Sequence, residues 1–457
     1  MKEKFEEIIN YALERGADFV ELFYEDTKLK AYQYLNSRID KTNTSYTKGV
    51  GIRLIYQDEV YYGSSSDMSV DAMKRIVDQF MATESMRDNI RFSLNELEVL
   101  EEEVLIPHSS FGIDKKKELF IKIDRLARNA SSLINQVIVT LKEVDRVIVV
   151  ANSEGVFKKE VRTYTMLSVS SYAFENGQTV SLYESYSKKM GYEFLNDVNL
   201  EEDIPKLSEK VIHLLHAKEC PKGEMPVVIN NGFGAVIFHE ACGHALEATV
   251  TAKGIGVLSG RKGQKIASDK VTLIDDGTDP FLFGSIQMDD EGMPSKKNVL
   301  IENGVLTSYL VDYKNISKME QERTGSGRRE GYRYAPTSRM TNTYLKPGND
   351  SIEEMIKSID HGLYCDSMNG GTVTVETGDF NFNTTIAREI CHGELGDWVK
   401  NASLIGNTKD ILKGVSMVSD DLVHSPGYCG SASGTVYVTC GQPTIKVDRI
   451  LVGGKGE

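Results

Sequence analysis

The stretch Val137-Ile-Val-Thr-Leu-Lys-Glu-Val-Asp-Arg-Val-Ile-Val-Val-Ala151 is rich in β-branched residues and reads as a long strand. Asn152-Ser-Glu-Gly155 follows it, then a second strand-like run over residues 156–172 and a third over 179–186. Asn176-Gly177 separates the last two, and an Asn-Gly pair suits the two positive-φ positions of a tight hairpin turn. The three runs therefore predict an antiparallel sheet. Working outward, residues 19–24, 31–35 and 49–62 add further extended segments. Phe5, Ile8, Ile9, Ala12 and Leu13 form one apolar stripe of a helix that Gly16 stops. Val70, Met73, Ile76, Val77 and Phe80 mark a second helix, residues 114–131 a third, and residues 200–218 a fourth. The expectation is an α+β first domain, residues 1–222, with helices on one side of its sheet and a boundary at Cys220-Pro-Lys-Gly223.

Residues 223–457 differ in character. A short buried strand at 225–230 leads into one helix at 233–249, and almost everything later alternates as β-structure. The β segments are 299–301 and 305–311 around Asn303-Gly304, then 372–382 and 434–438, with one more helix at 351–359. The second domain should therefore be largely antiparallel β. Residues 260–265 and 325–329 read as Gly-rich basic loops, and Asp289-Asp-Glu291 as a solvated acidic turn rather than a second metal site.

A chain of 457 residues exceeds what a single core usually serves, which agrees with two domains. No apolar run approaches the length needed to span a bilayer. The start, Met1-Lys-Glu-Lys-Phe-Glu-Glu, enters a helix with no secretory segment, so the expected location is the cytoplasm. Lysine and arginine total 53 against 67 aspartates and glutamates, a net charge of −14 that disfavours direct nucleic-acid binding. Six cysteines scattered at 220, 242, 365, 391, 429 and 440 suit free thiols or a metal ligand better than a disulfide framework.

One motif on the helix at 233–249 carries chemistry: His239-Glu240-Ala-Cys-Gly-His244. Imidazole nitrogens hold zinc, and a glutamate beside the first ligand can act as general base. The usual metallopeptidase spacing puts its histidines four apart, on one helix face. Here they are five apart, so a regular helix would aim them about 140° from each other. Binding one ion requires a π-type widening or an early end, and an irregularity is expected between Ala241 and His244. Glu247 would then face the same way and orient a ligand histidine. The structural alternative is a core helix with two hydrogen-bonded histidines. A third ligand could come from Cys391, His392, His424, Cys429 or Cys440, and spacing leaves that choice open.

Phe238-His-Glu-Ala-Cys-Gly-His-Ala-Leu-Glu-Ala248 resembles the metal-binding helix of the TldD/PmbA (TldD/TldE) proteases. The resemblance continues through Gly325-Ser-Gly-Arg-Arg-Glu330, Tyr332-Arg-Tyr-Ala-Pro-Thr337, Arg339-Met-Thr-Asn-Thr-Tyr344, Ala402-Ser-Leu-Ile-Gly-Asn407 and Gly441-Gln-Pro-Thr-Ile-Lys-Val-Asp448. It implies that five-residue spacing is normal here, and that the cysteine of Pro426-Gly-Tyr-Cys429-Gly is the third zinc ligand. It makes Cys440 a packing residue and leaves Cys242 buried on the helix. Glu240 would be the general base, with Zn2+ on His239, His244 and Cys429. The implied activity is hydrolysis of unfolded, extended or modified peptides by the TldD-type catalytic subunit of a dimer. Its partner would be a related TldE/PmbA-type subunit or a second copy. Two alternatives remain: a noncatalytic scaffold subunit with a structural metal site, and a regulator of DNA gyrase acting through protein contact.

Arg328, Arg329, Arg333 and Arg339 crowd together with Tyr332 and Tyr334. One reading has Arg328, Arg329, Arg333, Tyr334 and Arg339 bind peptide carbonyls or a terminal carboxylate. The other reading is loop packing and subunit contact.

Overall fold

Side-chain parity in the long strands decides what each face of the first sheet meets. The computed structural model describes residues 1–81, 87 and 90–454. Its first sheet contains β1 (Phe19–Leu35), β2 (Arg38–Tyr56), β3 (Glu59–Ser65), β4 (Glu98–Leu100), β5 (Ile134–Asn152), β6 (Phe157–Glu175) and β7 (Gln178–Lys188). The order is β3-β2-β1-β5-β6, with β4 and β7 both pairing β6. Only the β4–β6 pair is parallel. Asn176 and Gly177 take φ of 49° and 82°, the turn that the sequence implies.

Successive side chains of a strand point to opposite faces. Val137, Val139, Leu141, Val149 and Ala151 of β5 therefore share one face. Helices α1 (Lys2–Glu14) and α2 (Val70–Met81) cover one end of that face with Phe5, Ile8, Met73 and Val77. Helices α3 (Ile113–Ala130) and α4 (Leu200–His216) cover the other with Phe120, Ile123, Leu207 and Val211. The opposite face is covered by the second half of the chain. There Phe23, Ile148 and Val150 pack on Met288 and Tyr332, and Val144, Tyr164 and Met166 pack on Phe283.

The expected bounds of several strands need correction. The extended runs at 19–24 and 31–35 are one strand, because the charged segment between them is held by ladder bonds to both β2 and β5. Main-chain pairing does not require apolar side chains. The run at 49–62 is broken at Gln57 and Asp58, both at positive φ, which form the β2–β3 turn. The run at 372–382 likewise spans two strands, His361–Thr374 and Asp379–Cys391, with Gly378 at φ 83° between them.

Asp289, Asp290 and Glu291 do not form a solvated turn. They are 0%, 1% and 1% exposed. Asp289 accepts main-chain N–H bonds from Glu291, Met293 and Gly327. Asp290 lies 2.9 Å from Arg162, and Glu291 lies 2.6 Å from Arg53, both on the first sheet. Arg53 also meets Glu21 at 2.5 Å, and Arg162 meets Glu160 at 2.8 Å. The acidic run is thus half of a buried ion lattice between the two halves of the chain.

The second half holds two main sheets. One is six-stranded, ending in the antiparallel pair Gly434–Gln442 and Val423–Ser431. In the other, pairings close into a ring of five strands: His361–Thr374, Gly223–Ile229, Ile445–Gly453, Ser403–Asn407 and Asp379–Cys391. The segment from Gly232 to Leu246 follows the ring strand Gly223–Ile229; its first turn packs against the strands at 434–442 and 423–431, and the turns from Val236 to Gly243 pack against His361–Thr374.

Candidate metal centre

The segment that follows strand Gly223–Ile229 is not the continuous helix expected over 233–249. It runs as a 3-10 turn (Gly232–Ala235), one α turn (Val236–Phe238), a π turn (His239–Gly243) and a 3-10 turn (His244–Leu246). Glu247 is then extended, at φ −73° and ψ 132°. A π turn bonds i to i+5, which brings residues five apart onto one side. The expected irregularity is therefore present, and it begins at His239, earlier than anticipated.

Two neighbours make the widened turn possible. Gly243 packs so tightly that a Cβ there would sit 2.0 Å from the Met340 sulfur. Widening also frees a carbonyl from its usual partner, and Ala241 O accepts a 2.7 Å hydrogen bond from the Thr408 hydroxyl. Thr408 has no counterpart among the residues singled out in the sequence; only its adjacency to the Ala402–Asn407 motif points toward it.

The turn places the two imidazoles 5.2 Å apart between centroids, at 83°. Nε2 of His239 and Nε2 of His244 each lie 3.2 Å from Cys429 Sγ. One ligand atom from each of the three residues falls within 4.8 Å of the others. Among the described residues, Cys391, His392, His424 and Cys440 are not part of this group. Cys440 and Cys242 are buried free thiols, and the Cys440 sulfur neighbours the His239 ring.

The carboxylates are arranged asymmetrically. Glu240 Oε2 stands 3.8 Å from His244 Nε2 with its side chain 27% exposed, whereas His239 and Cys429 are 2% exposed. The cluster is therefore open on the Glu240 side. Glu247 is buried on the other side, its Oε1 3.2 Å from His244 Nδ1. Glu247 therefore does not face the same way as Glu240, as helical spacing would have it, because the chain turns extended at this residue; it approaches His244 from behind instead.

Electrostatics favour the ligating form of the sulfur. Burial alone would raise the Cys429 thiol, but the adjacent His239 and His244 rings more than offset it and bring it down to about 3. Burial disfavours a charged His244, yet Glu247 and Cys429 raise it to about 10. His239 is raised in the same way by the Cys440 and Cys429 sulfurs against its burial. The thiolate is the form that binds metal.

The arginine cluster divides in two. Arg328 donates to the carbonyls of Met340 (2.6 Å) and Tyr437 (2.8 Å), and Arg329 to Asp290 O at 2.8 Å and to Glu21. Arg339 donates to Cys429 O, Ser433 Oγ and Gly434 O, with Nε 3.8 Å from Glu247. These three guanidiniums are buried with partners inside the protein, and Arg328 and Arg329 also line a small cavity together with Tyr164, Tyr428 and Tyr437. Arg339 in particular ties the Cys429 strand to the carboxylate behind His244, a role that sequence reasoning missed. Arg333 and Tyr334 are exposed.

Comparison with known proteins agrees with this architecture. Family models match three consecutive segments: PmbA/TldA metallopeptidase domain 1 at residues 20–83, the central domain at 106–218 and the C-terminal domain at 222–454. A Buchnera aphidicola protein named metalloprotease TldD homolog is 30% identical over 448 residues, covering 96% of this chain and 93% of that one. A Saccharolobus solfataricus protein named zinc metalloprotease TldD homolog is 27% identical, covering 98% and 99%. Among solved structures, a Thermotoga maritima protein described as a modulator of a DNA gyrase has a TM-score of 0.79 at 19% identity, with 99% of each chain covered. TldE from Thermococcus kodakarensis has a TM-score of 0.74 at 21% identity, covering 99% and 100%. The α+β fold and the three matched segments together make this chain a member of the PmbA/TldD metallopeptidase family.

Proposed function

We propose that the chain is a zinc-dependent peptidase, the catalytic, TldD-type subunit of a dimeric protease acting on unfolded or extended peptides. The observation that carries this reading is the convergence of two imidazoles and a thiolate beside a partly exposed glutamate. Two nitrogens and one sulfur suit zinc better than magnesium or manganese, and His239 presents its Nε2 to the cluster, 3.2 Å from the Cys429 sulfur. His239, His244 and Cys429 would hold the ion. Three protein ligands with an open fourth position are the layout of a catalytic rather than a structural site.

When bound, zinc supplies Lewis-acid polarisation of the scissile carbonyl and of an attacking water. Glu240, on the open side, takes the proton from that water and returns it to the leaving amine. Glu247 holds His244 through Nδ1, and Arg339 keeps the Cys429 strand in register with it. The strand Val423–Ser431 is the last of its sheet, and its first half (Val423, Ser425 and Pro426) borders a cleft of about 590 Å3 whose lining does not include His239, Glu240, His244 or Cys429. The facing wall includes Ser181–Tyr186 of β7, which pairs only β6 among the described residues. An extended chain can add main-chain bonds to such an edge with little sequence preference. The partner is a related TldE-type subunit or a second copy, and the compartment is the cytoplasm; no helix among the described residues is long and apolar enough to cross a membrane.

Metal analysis joined to cleavage of an unfolded polypeptide tests the reading. Glu240→Gln should retain metal and lose turnover by roughly 10²–10⁴-fold, the usual contribution of a general base. Cys429→Ser should lose metal and activity together. Undiminished cleavage by both variants would sink the mechanism and favour the scaffold-subunit reading.

A further inference from the structure

We propose a second metal site, for one first-row transition ion, at the exposed corner formed by Asp360, His361 and His392. Ligand atoms of these three residues lie within 4.8 Å of one another. Nδ1 of His392 is 2.7 Å from Oδ1 of Asp360, and Nε2 of His361 is 3.5 Å from Oδ2 of the same carboxylate. One carboxylate therefore sits between two imidazoles, whose rings are 5.0 Å apart at 63°.

The backbone brings these groups together. His392 and Gly393, at φ 52° and 80°, form the two-residue turn between strands Asp379–Cys391 and Glu394–Lys400. Asn, Asp or Gly is the usual occupant of the first position of such a turn. A histidine here accepts the strained backbone and sets its ring against Asp360. The turn is pinned to the neighbouring segment by His392 N donating to Asp360 O (2.6 Å) and Gly393 N donating to Ile359 O (2.9 Å). The donors are thus positioned from both sides before any ion arrives, which lowers the ordering cost of binding.

Two imidazoles and one carboxylate suit Zn2+, Ni2+ or Cu2+, and not Mg2+ or Ca2+, which prefer all-oxygen shells. The side chains are 68–78% exposed, so water completes the coordination shell and the ion exchanges directly with solvent. The site is separate from the centre at Cys429. Strand His361–Thr374 runs parallel to Gly223–Ile229, with Leu363 opposite Val227 and Cys365 opposite Ile229. His361 stands at the start of this strand pair, whereas the chain leaves the other end for His239.

The test is equilibrium dialysis of the chelator-stripped full chain against Zn2+, with bound metal counted by mass spectrometry. The variants are His361→Gln/His392→Asn, Cys429→Ser and the combination of all three. Asn tolerates positive φ, so the turn survives the substitution. The double histidine variant should bind one ion fewer than its parent in both the wild-type and the Cys429→Ser background, with an unchanged circular-dichroism spectrum. Excess Mg2+ should not displace that ion. Equal zinc stoichiometry with and without the two histidines, in either background, overturns the proposal whatever happens at Cys429.

Discussion

His244 shows how a single side chain is assigned its role by its surroundings. Its Nε2 faces the Cys429 sulfur, and its Nδ1 faces the buried Glu247 at 3.2 Å. A carboxylate behind a ligand imidazole fixes ring orientation and strengthens it as a donor; losing it typically costs 10–100-fold in metal affinity. Glu247→Gln should weaken zinc binding by that order, read as a shift in chelator competition, while the protein stays folded. An unchanged affinity would mean that Glu247 only packs. Glu240, four residues before His244, differs through its exposure, and that difference separates the proposed proton carrier from the proposed orienting group.

At the scale of elements, the decisive one is the π turn His239–Gly243. Its i-to-i+5 geometry aligns two histidines that a regular helix would set on different faces. The turn depends on close contact at Gly243, where a methyl group would collide with Met340, a residue with 0% exposure. Gly243→Ala should therefore destabilise the protein by about 1–3 kcal/mol, the usual cost of overpacking a core, and lower zinc occupancy as well. A thermal melt and metal analysis of the variant check both effects. If stability falls while full zinc occupancy remains, the π turn is not what aligns the ligands.

At the scale of the molecule, the first sheet and the second half are joined by buried ions as well as by apolar packing. Arg53 is 1% exposed and lies between Glu21 and Glu291, one from each side of the junction. Removing one member of a buried pair strands the others, so Arg53→Met should cost about 3–5 kcal/mol in chemical denaturation. A loss near zero would show that the lattice is solvated in solution. Asp312 belongs to the same region: burial first, then the charge of Glu291, raise its carboxyl to about 6. A raised carboxyl stabilises the fold while protonated. That contribution is complete below the unfolded value of about 3.9 and is lost as pH rises through about 6. Asp312→Asn should accordingly flatten the fall in melting temperature between about pH 4 and pH 7. An unchanged pH slope would assign the effect to another group.

The sequence by itself determined the α+β class, the hairpin at Asn176-Gly177, the four helices of the first half and the identity of the candidate metal-binding segment. Those features are local: β-branched runs, apolar stripes, turn residues and one motif at fixed spacing all act between near neighbours. It did not determine the fate of Asp289, Asp290 and Glu291, which look like any acidic turn until Arg53 and Arg162 arrive from two strands, each more than a hundred residues away. Nor did it assign Arg328, Arg329 and Arg339 to the interior, since a charged side chain is buried only where distant partners satisfy it. The choice of Cys429 over four other donors rested on family resemblance, because strand register, not spacing, brings its sulfur to the histidines. Tertiary structure decided these matters for one physical reason: burial and coordination depend on which groups converge in space, and a linear pattern records only which groups are adjacent.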